Sequence, residues 1–578
     1  MRIKITQTKN STTFYIIESY RLNGKSTSRI VERLGSLAEV TLKAQGQDPY
    51  VWANQQAALS TEKNRMEKRD IHITFSNHKL IEEGTRPRVN AGYLFLKKIY
   101  HELRLDELCQ SLSETSKHEY DLNAILSSLL YARVLYPSSK RSSLEASQSF
   151  MEKTDMELHQ VYRALDVLAK HNETIQAHLY HHSQSIVERN SQVLYYDCTN
   201  FFFEIELAEG LKQYGKSKEH RPNPIIQMGL FLDGNGIPLA FDLTPGNTNE
   251  QKTLLPLEKR ILRDFELSKL VVCTDAGLSS ITNRTFNSFA NRAYVTVQSL
   301  KKLKQHLKDW ALDPTGWHLK GSGKLFNLND IDLDDTSAIY TKERWIHENG
   351  IEERLIVTFS PKYKHYQETI RGRQIERACH QIATKAPTRS AKNPNDPARF
   401  IQEITTTSTG EVAQQRHLSL DESRIEEERQ YDGFYGVVTN LEDDVQAIIQ
   451  INQRRWEIEE SFRIMKSEFK ARPVYLQNEE RIQAHFLTCF MALTLFRIVE
   501  KRLDECASAE TMIQTLREMD LHPIRAQGYI PLFKRTALTD KLQATFGYQL
   551  STEIIDLDTM KKNKRISKQK KLLHLEHI

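Results

Sequence analysis

Asp197 lies inside Gln192-Val-Leu-Tyr-Tyr-Asp-Cys-Thr-Asn-Phe-Phe-Phe-Glu-Ile, a run whose aromatic and β-branched residues predict the central strand of a sheet. An unpaired carboxylate buried there costs several kcal/mol unless a cation or converging hydrogen-bond donors compensate. The feature therefore demands a partner, and a metal ion is the partner this side chain in this position points to.

A chain of 578 residues is too long for one core and should divide into three or four domains. Its apolar fraction of 39% with 27% charged residues fits a soluble globular protein. No apolar run reaches the roughly 18 residues that a membrane helix needs, and the start lacks an apolar signal core, so a cytoplasmic protein is expected. Cysteines 109, 198, 273, 379, 489 and 506 form no Cys-x-x-Cys pair, which argues against a disulfide framework or zinc finger and for buried thiols. The net charge of +5 is unevenly placed: the 18 residues from Lys561 carry +6 and the rest about −1. Such a tail reads as a solvated end or a phosphate-binding extension.

Residues 1–75 read as a small β-rich module with a hairpin turn at Asn23-Gly24. Residues 76–190 are helical and form a DNA-binding candidate; the helix through Leu122–Leu135 is closed by Pro137, and Arg133, Lys140 and Arg141 at its end read as a solvated terminus. In 191–300, the Asp197 strand is followed by two strands split by Asp233-Gly-Asn-Gly, a helix capped by Asn249, a short strand ending at Asp275, a second helix and the strand Ala293-Tyr-Val-Thr-Val-Gln. Residues 301–440 look like an inserted mixed domain. Residues 441–550 hold a long helix from Asp444 to Pro473 and further helices, and 551–578 the basic tail.

This order is that of a ribonuclease H-like α/β fold with an insertion before its last catalytic helix. In that fold the first and fourth strands are neighbours, which would bring Asp197 and Asp275 together. A third carboxylate would come from the long helix, which offers Glu457, Glu459 and Glu460. Asn452, Arg455, Glu459, Arg463 and Lys466 recur at three- and four-residue steps, so they share a helical face, and Glu459 is the choice. The simpler account is a surface helix laced with Arg–Glu pairs. Three carboxylates suit two Mg2+ or Mn2+ ions about 3.5 to 4 Å apart.

Arg455-x3-Glu459-x6-Lys466 resembles the Tyr-x2-Arg-x3-Glu-x6-Lys signature of DDE transposases from bacterial insertion sequences. Tyr196-Asp197-Cys-Thr-Asn, Gly215–Arg221, Gly246-Asn247, Thr274-Asp275-Ala-Gly277, Asp432-Gly-Phe and Arg472-Pro-Val-Tyr475 resemble other segments of that family, in its order. Asn452 stands where the signature has tyrosine. The resemblance implies that Asp197, Asp275 and Glu459 are catalytic metal ligands that cut a transposon end and join it to target DNA. It also implies that Arg455 and Lys466 hold phosphates, with Arg463 on the same face. Lys216, Lys218 and Arg221 would contact the DNA backbone, and Trp456, Trp310, Trp317 or Trp345 could stack on a flipped base. Double-stranded DNA, as terminal repeats and target, and a homodimer on two DNA ends are the implied partners. A structure-specific nuclease on the same fold and an inactive transposase-derived DNA-binding protein are the alternatives. A carboxylate-pair glycosidase leaves the basic residues around Glu459 unexplained.

Overall fold

The computed structural model describes the chain except residues 9–10, 23–24, 68–72, 74–75, 79, 81–82, 84–87, 116–118, 268, 349, 385–395, 407–411 and 571–578. It divides into two compact units, residues 1–87 with 524–529, and residues 88–523 with 530–578.

In the first unit, Arg2–Thr8, Ser11–Leu22 and Lys25–Ser36 form a three-stranded antiparallel sheet with Leu22 opposite Lys25. The turn at Asn23-Gly24 lies outside the described residues. Two helices follow, Leu37–Lys43 and Pro49–Glu67, so the module is not purely β. Ser36 and Glu39 close a reciprocal capping box on the first helix, and Phe14, Ile16, Leu34, Val40, Ala53 and Ala57 form the core.

The second unit opens with six helices between Tyr93 and Ser183, three of which pack on the long helix Glu479–Arg502. That helix is apolar and long enough to cross a bilayer, contrary to the reading that no run approaches membrane length. Its composition has a different cause: 94% of its apolar window is buried in the protein interior.

A ten-stranded mixed sheet holds the rest together. Its middle runs Pro238–Pro245, Ile225–Asp233, Val193–Phe202, Leu270–Thr274, Arg292–Gln298, with the first three antiparallel and the last three parallel. Asp233-Gly-Asn-Gly makes the tight turn between the second and third strands in sequence. Gly236 has φ +77°, and a Cβ there would lie 2.1 Å from a Glu457 carboxylate oxygen, so only glycine fits. The insertion does not build its own sheet first. Phe434–Thr439 pairs with Arg292–Gln298, and Ile351–Phe359, Tyr340–Glu348, Trp317–Leu319 and Leu325–Phe326 continue outward in the same sheet.

Three local expectations change. Residues Leu557–Ser567 are a helix, not a solvated tail: Met560, Asn563 and Ile566 are buried, it packs on Tyr93–Glu102, and Lys570 pairs with Asp106 and Glu107. Arg133 and Lys140 are buried, at 2% and 5% exposure, while Arg141 is exposed. The Arg133 guanidinium donates to the Phe469 and Ser138 carbonyls, so its charge serves the interior. Four cysteines are buried thiols as expected, but Cys379 and Cys506 are exposed.

Candidate active site

Tyr196 is paired with Thr274 in the parallel ladder between Val193–Phe202 and Leu270–Thr274, so Asp197 and Asp275 follow side by side on neighbouring strands. The Asp197 carboxylate is partly buried and accepts the Cys198 N–H at 2.7 Å. Desolvation pushes its pKa up to about 6, against the pull of Lys218 and the Cys198 N–H, and the Asp275 charge adds to the rise. Asp275 is far more exposed, at the start of a short 3-10 turn.

The long helix expected from Asp444 to Pro473 is broken. Val445–Gln453 ends at a turn, Trp456–Arg463 resumes, and Ile464–Glu468 is a π-helical turn. Arg455 sits at the break and its guanidinium bridges two acids, 3.7 Å from Asp275 Oδ1 and 3.4 Å from Glu459 Oε1. Trp456–Arg463 packs on the Asp197 strand. Its three glutamates have separate surroundings. Glu457 is buried against Arg497 at 2.6 Å, Glu460 pairs with Arg463 at 2.6 Å, and Glu459 is 60% exposed beside Arg455. Among the described residues no three His, Cys, Asp or Glu side chains stand together as a ready-made metal site.

Lys466 reaches back over the first strand and donates to Thr199 Oγ1 at 2.6 Å; burial lowers its pKa to about 8, Lys218 adding to the effect and Asp197 opposing it. The same-face grouping fails for Arg463, which turns to Glu460 and Glu468 because the π turn shifts the register after it. Asn452 donates to the Tyr435 hydroxyl at 3.3 Å, so a phenol from the strand Phe434–Thr439 stands beside the position that lacks the signature tyrosine.

The loop after the first strand is anchored to it: Asn200 donates to the Lys216 carbonyl at 3.1 Å and accepts the Lys218 N–H at 3.2 Å. The Lys216 side chain is exposed, Lys218 is 3.3 Å from Glu250, and Arg221 lies over the Phe202 ring at 4.2 Å. Trp456 and Trp345 are exposed, at 53% and 45%. Trp317 is fully buried with its indole N–H on the Asp313 carbonyl, and Trp310 is covered by Lys342 and Arg344, so Trp317 cannot receive a base. Glu219 and Arg472, for which the sequence suggested no role, stand in contact beside Lys466. Both lie in segments that carried the family resemblance, which was the signal available.

No curated protein matches the chain. Among solved structures, it is similar to a piggyBac transposase synaptic complex with hairpin DNA, at 10% identity and TM-score 0.31, covering 88% of this chain and 80% of that one. It is also similar to a Mos1 transposase paired-end complex with left transposon end, at 11% identity and TM-score 0.13, covering 43% and 69%. The family described as the transposase DDE domain matches residues 201–495, which include Asp275 and Glu459 and begin four residues after Asp197. That match spans just over half of the sequence, and the chain belongs to the DDE transposases, enzymes that cut DNA.

Proposed function

We propose that this chain is the transposase of a bacterial insertion sequence, of the group with the Tyr-Arg-Glu-Lys signature. Its core would be ribonuclease H-like, with Asp197, Asp275 and Glu459 as the catalytic carboxylates. The observation that carries the reading is the adjacency of Asp197 and Asp275 at the ends of two parallel strands, with the Glu459 helix packed on the first.

Divalent metal suits these residues. All three offer hard oxygen ligands, and a carboxyl whose pKa burial has raised to about 6 gains most from a cation. Asp197, Asp275 and Glu459 would hold two Mg2+ or Mn2+ ions, which when bound activate the attacking oxygen and stabilise the leaving one. Arg455 and Lys466 would hold phosphates of the transposon end, and Lys216, Lys218 and Arg221 would follow the backbone. Trp456, exposed next to Arg455, is placed to stack on a base. Cleavage would be followed by joining of the end to target DNA, in the cytoplasm, by a homodimer that pairs two terminal repeats, with residues 76–190 contributing to DNA binding.

The test incubates purified protein with labelled element ends, target plasmid and magnesium, against Asp197→Ala, Asp275→Ala and Glu459→Ala. Each variant should lose cleavage and joining. Undiminished joined product from Glu459→Ala would remove it from the site, and cutting of arbitrary DNA without joining would favour a nuclease.

A further inference from the structure

Three cations from three segments converge on one carboxylate beside Asp197's strand. Glu219 has Arg472 in direct contact, Lys466 Nζ 3.7 Å from Oε1 and Arg221 Nε 3.8 Å from Oε2. The arrangement is built rather than incidental. Ser217 Oγ accepts the N–H groups of Glu219 and Arg221, both at 3.2 Å, and fixes the turn that presents the carboxylate. Val474 donates to the Phe202 carbonyl at 3.1 Å and ties the Arg472 segment to the end of the same strand. Lys466 is only 15% exposed and is held over the Phe201 ring.

The charges do not balance locally. One carboxylate faces three cations, and the nearby Lys218 has its own partner in Glu250. A phosphodiester carries the same single negative charge as Glu219 and likewise accepts from an arginine through two oxygens. An exposed strand end flanked by guanidinium and ammonium groups at this distance from Asp197 is where a DNA backbone phosphate would have to pass.

We propose that Glu219 is a stand-in anion for a DNA phosphate. In the DNA-free protein it holds Lys466, Arg472 and Arg221 in one place against their mutual repulsion; on binding, a backbone phosphate takes the cations and Glu219 is displaced. Arg472 is thereby assigned as a third phosphate contact with Lys466 and Arg221. The proposal rests on the transposase reading of the site.

The test measures the Kd of the full chain for an element-end duplex in EDTA, which isolates binding from cleavage, over a salt series. Glu219→Gln should bind about tenfold tighter at low salt, and its log Kd against log salt should steepen by about one phosphate contact. The control Glu204→Gln, which removes an exposed acid from the same loop, should gain less than twofold. Without DNA, Glu219→Gln should melt at a lower temperature than wild type, and inorganic phosphate should recover the loss. If Glu219→Gln fails to fold, Glu219→Asp, which keeps the charge but withdraws it by one methylene, should also bind more tightly. Unchanged or weaker binding by the folded variant, or an equal gain in Glu204→Gln, overturns the proposal. A wild type that cleaves and joins ends while Glu219→Gln binds no tighter overturns this inference alone; a wild type inert towards the ends overturns the transposase reading beneath it.

Discussion

Glu457 and Arg497 form an ion pair at 2.6 Å with both side chains no more than 2% exposed, two residues before Glu459 on the helix that carries it. Arg497 also binds Glu500 and the Gly236 carbonyl, and Glu457 is approached by Lys501 at 3.5 Å. Removing one member of a buried pair leaves the other uncompensated, so Glu457→Ala should destabilise the protein by about 3 kcal/mol. Glu459→Ala should stay within about 0.5 kcal/mol of wild type, its side chain being mostly exposed, yet lose DNA cleavage. Urea denaturation beside a cleavage assay checks the division, and equal destabilisation would show that it is wrong.

Lys140 is buried with no hydrogen-bond partner at its ammonium, and desolvation, with Arg133 adding repulsion, lowers its pKa from 10.5 to about 7. Between those values the unfolded chain binds the proton that the folded one releases. Stability should therefore rise as pH goes from about 7 towards 10.5, with the full penalty present below 7. Lys140→Met should be more stable than wild type by about 1 to 3 kcal/mol at neutral pH and should lose this part of the pH dependence. Paired denaturation curves at pH 7 and 9 measure it.

Two tryptophans should respond in opposite ways. Trp317→Ala empties a core position among Phe359, Phe434 and Leu355 and should cost about 3 to 5 kcal/mol. Trp456→Ala should leave stability within about 0.5 kcal/mol and instead weaken binding to element ends. Thermal melts and a gel-shift assay separate the two.

Truncation before Leu557 should lower the melting temperature by several degrees. It uncovers the buried contacts of Met560 and Ile566 and removes the Gln569 carbonyl that accepts from the buried Lys98. A solvated tail could be removed without cost, so an unchanged melt would contradict the docked helix.

The strand order around Asp197 was legible because each strand carries its own pattern and the Asp233-Gly-Asn-Gly turn fixes a hairpin. The break at Arg455 was not. Gln453-Arg-Arg-Trp contains neither glycine nor proline, and the interruption follows from distant partners, the Tyr195 hydroxyl on the Ile451 carbonyl and Arg497 on Glu457. Charge hid the last helix: seven basic residues dominated the reading of a segment whose Met560, Asn563 and Ile566 recur every three residues on one buried face. Arg133 and Lys140 misled for the same reason, since composition does not reveal that carbonyls at the end of a distant helix await a donor. Sheet membership of residues 301–440 depends on pairings across more than a hundred residues, such as Tyr294 with the Asn440 side chain, which no local pattern encodes.

That shared sheet makes the insertion impossible to excise cleanly. Cutting out 301–440 would strip the partner from Arg292–Gln298, leaving the backbone donors and acceptors of an apolar strand, including the buried Val295, open along its length. Such an unpaired rim recruits other chains. A deletion variant should therefore be lost to aggregation before its catalysis could be assayed, and any shortened enzyme would have to keep Phe434–Thr439 as a closing strand.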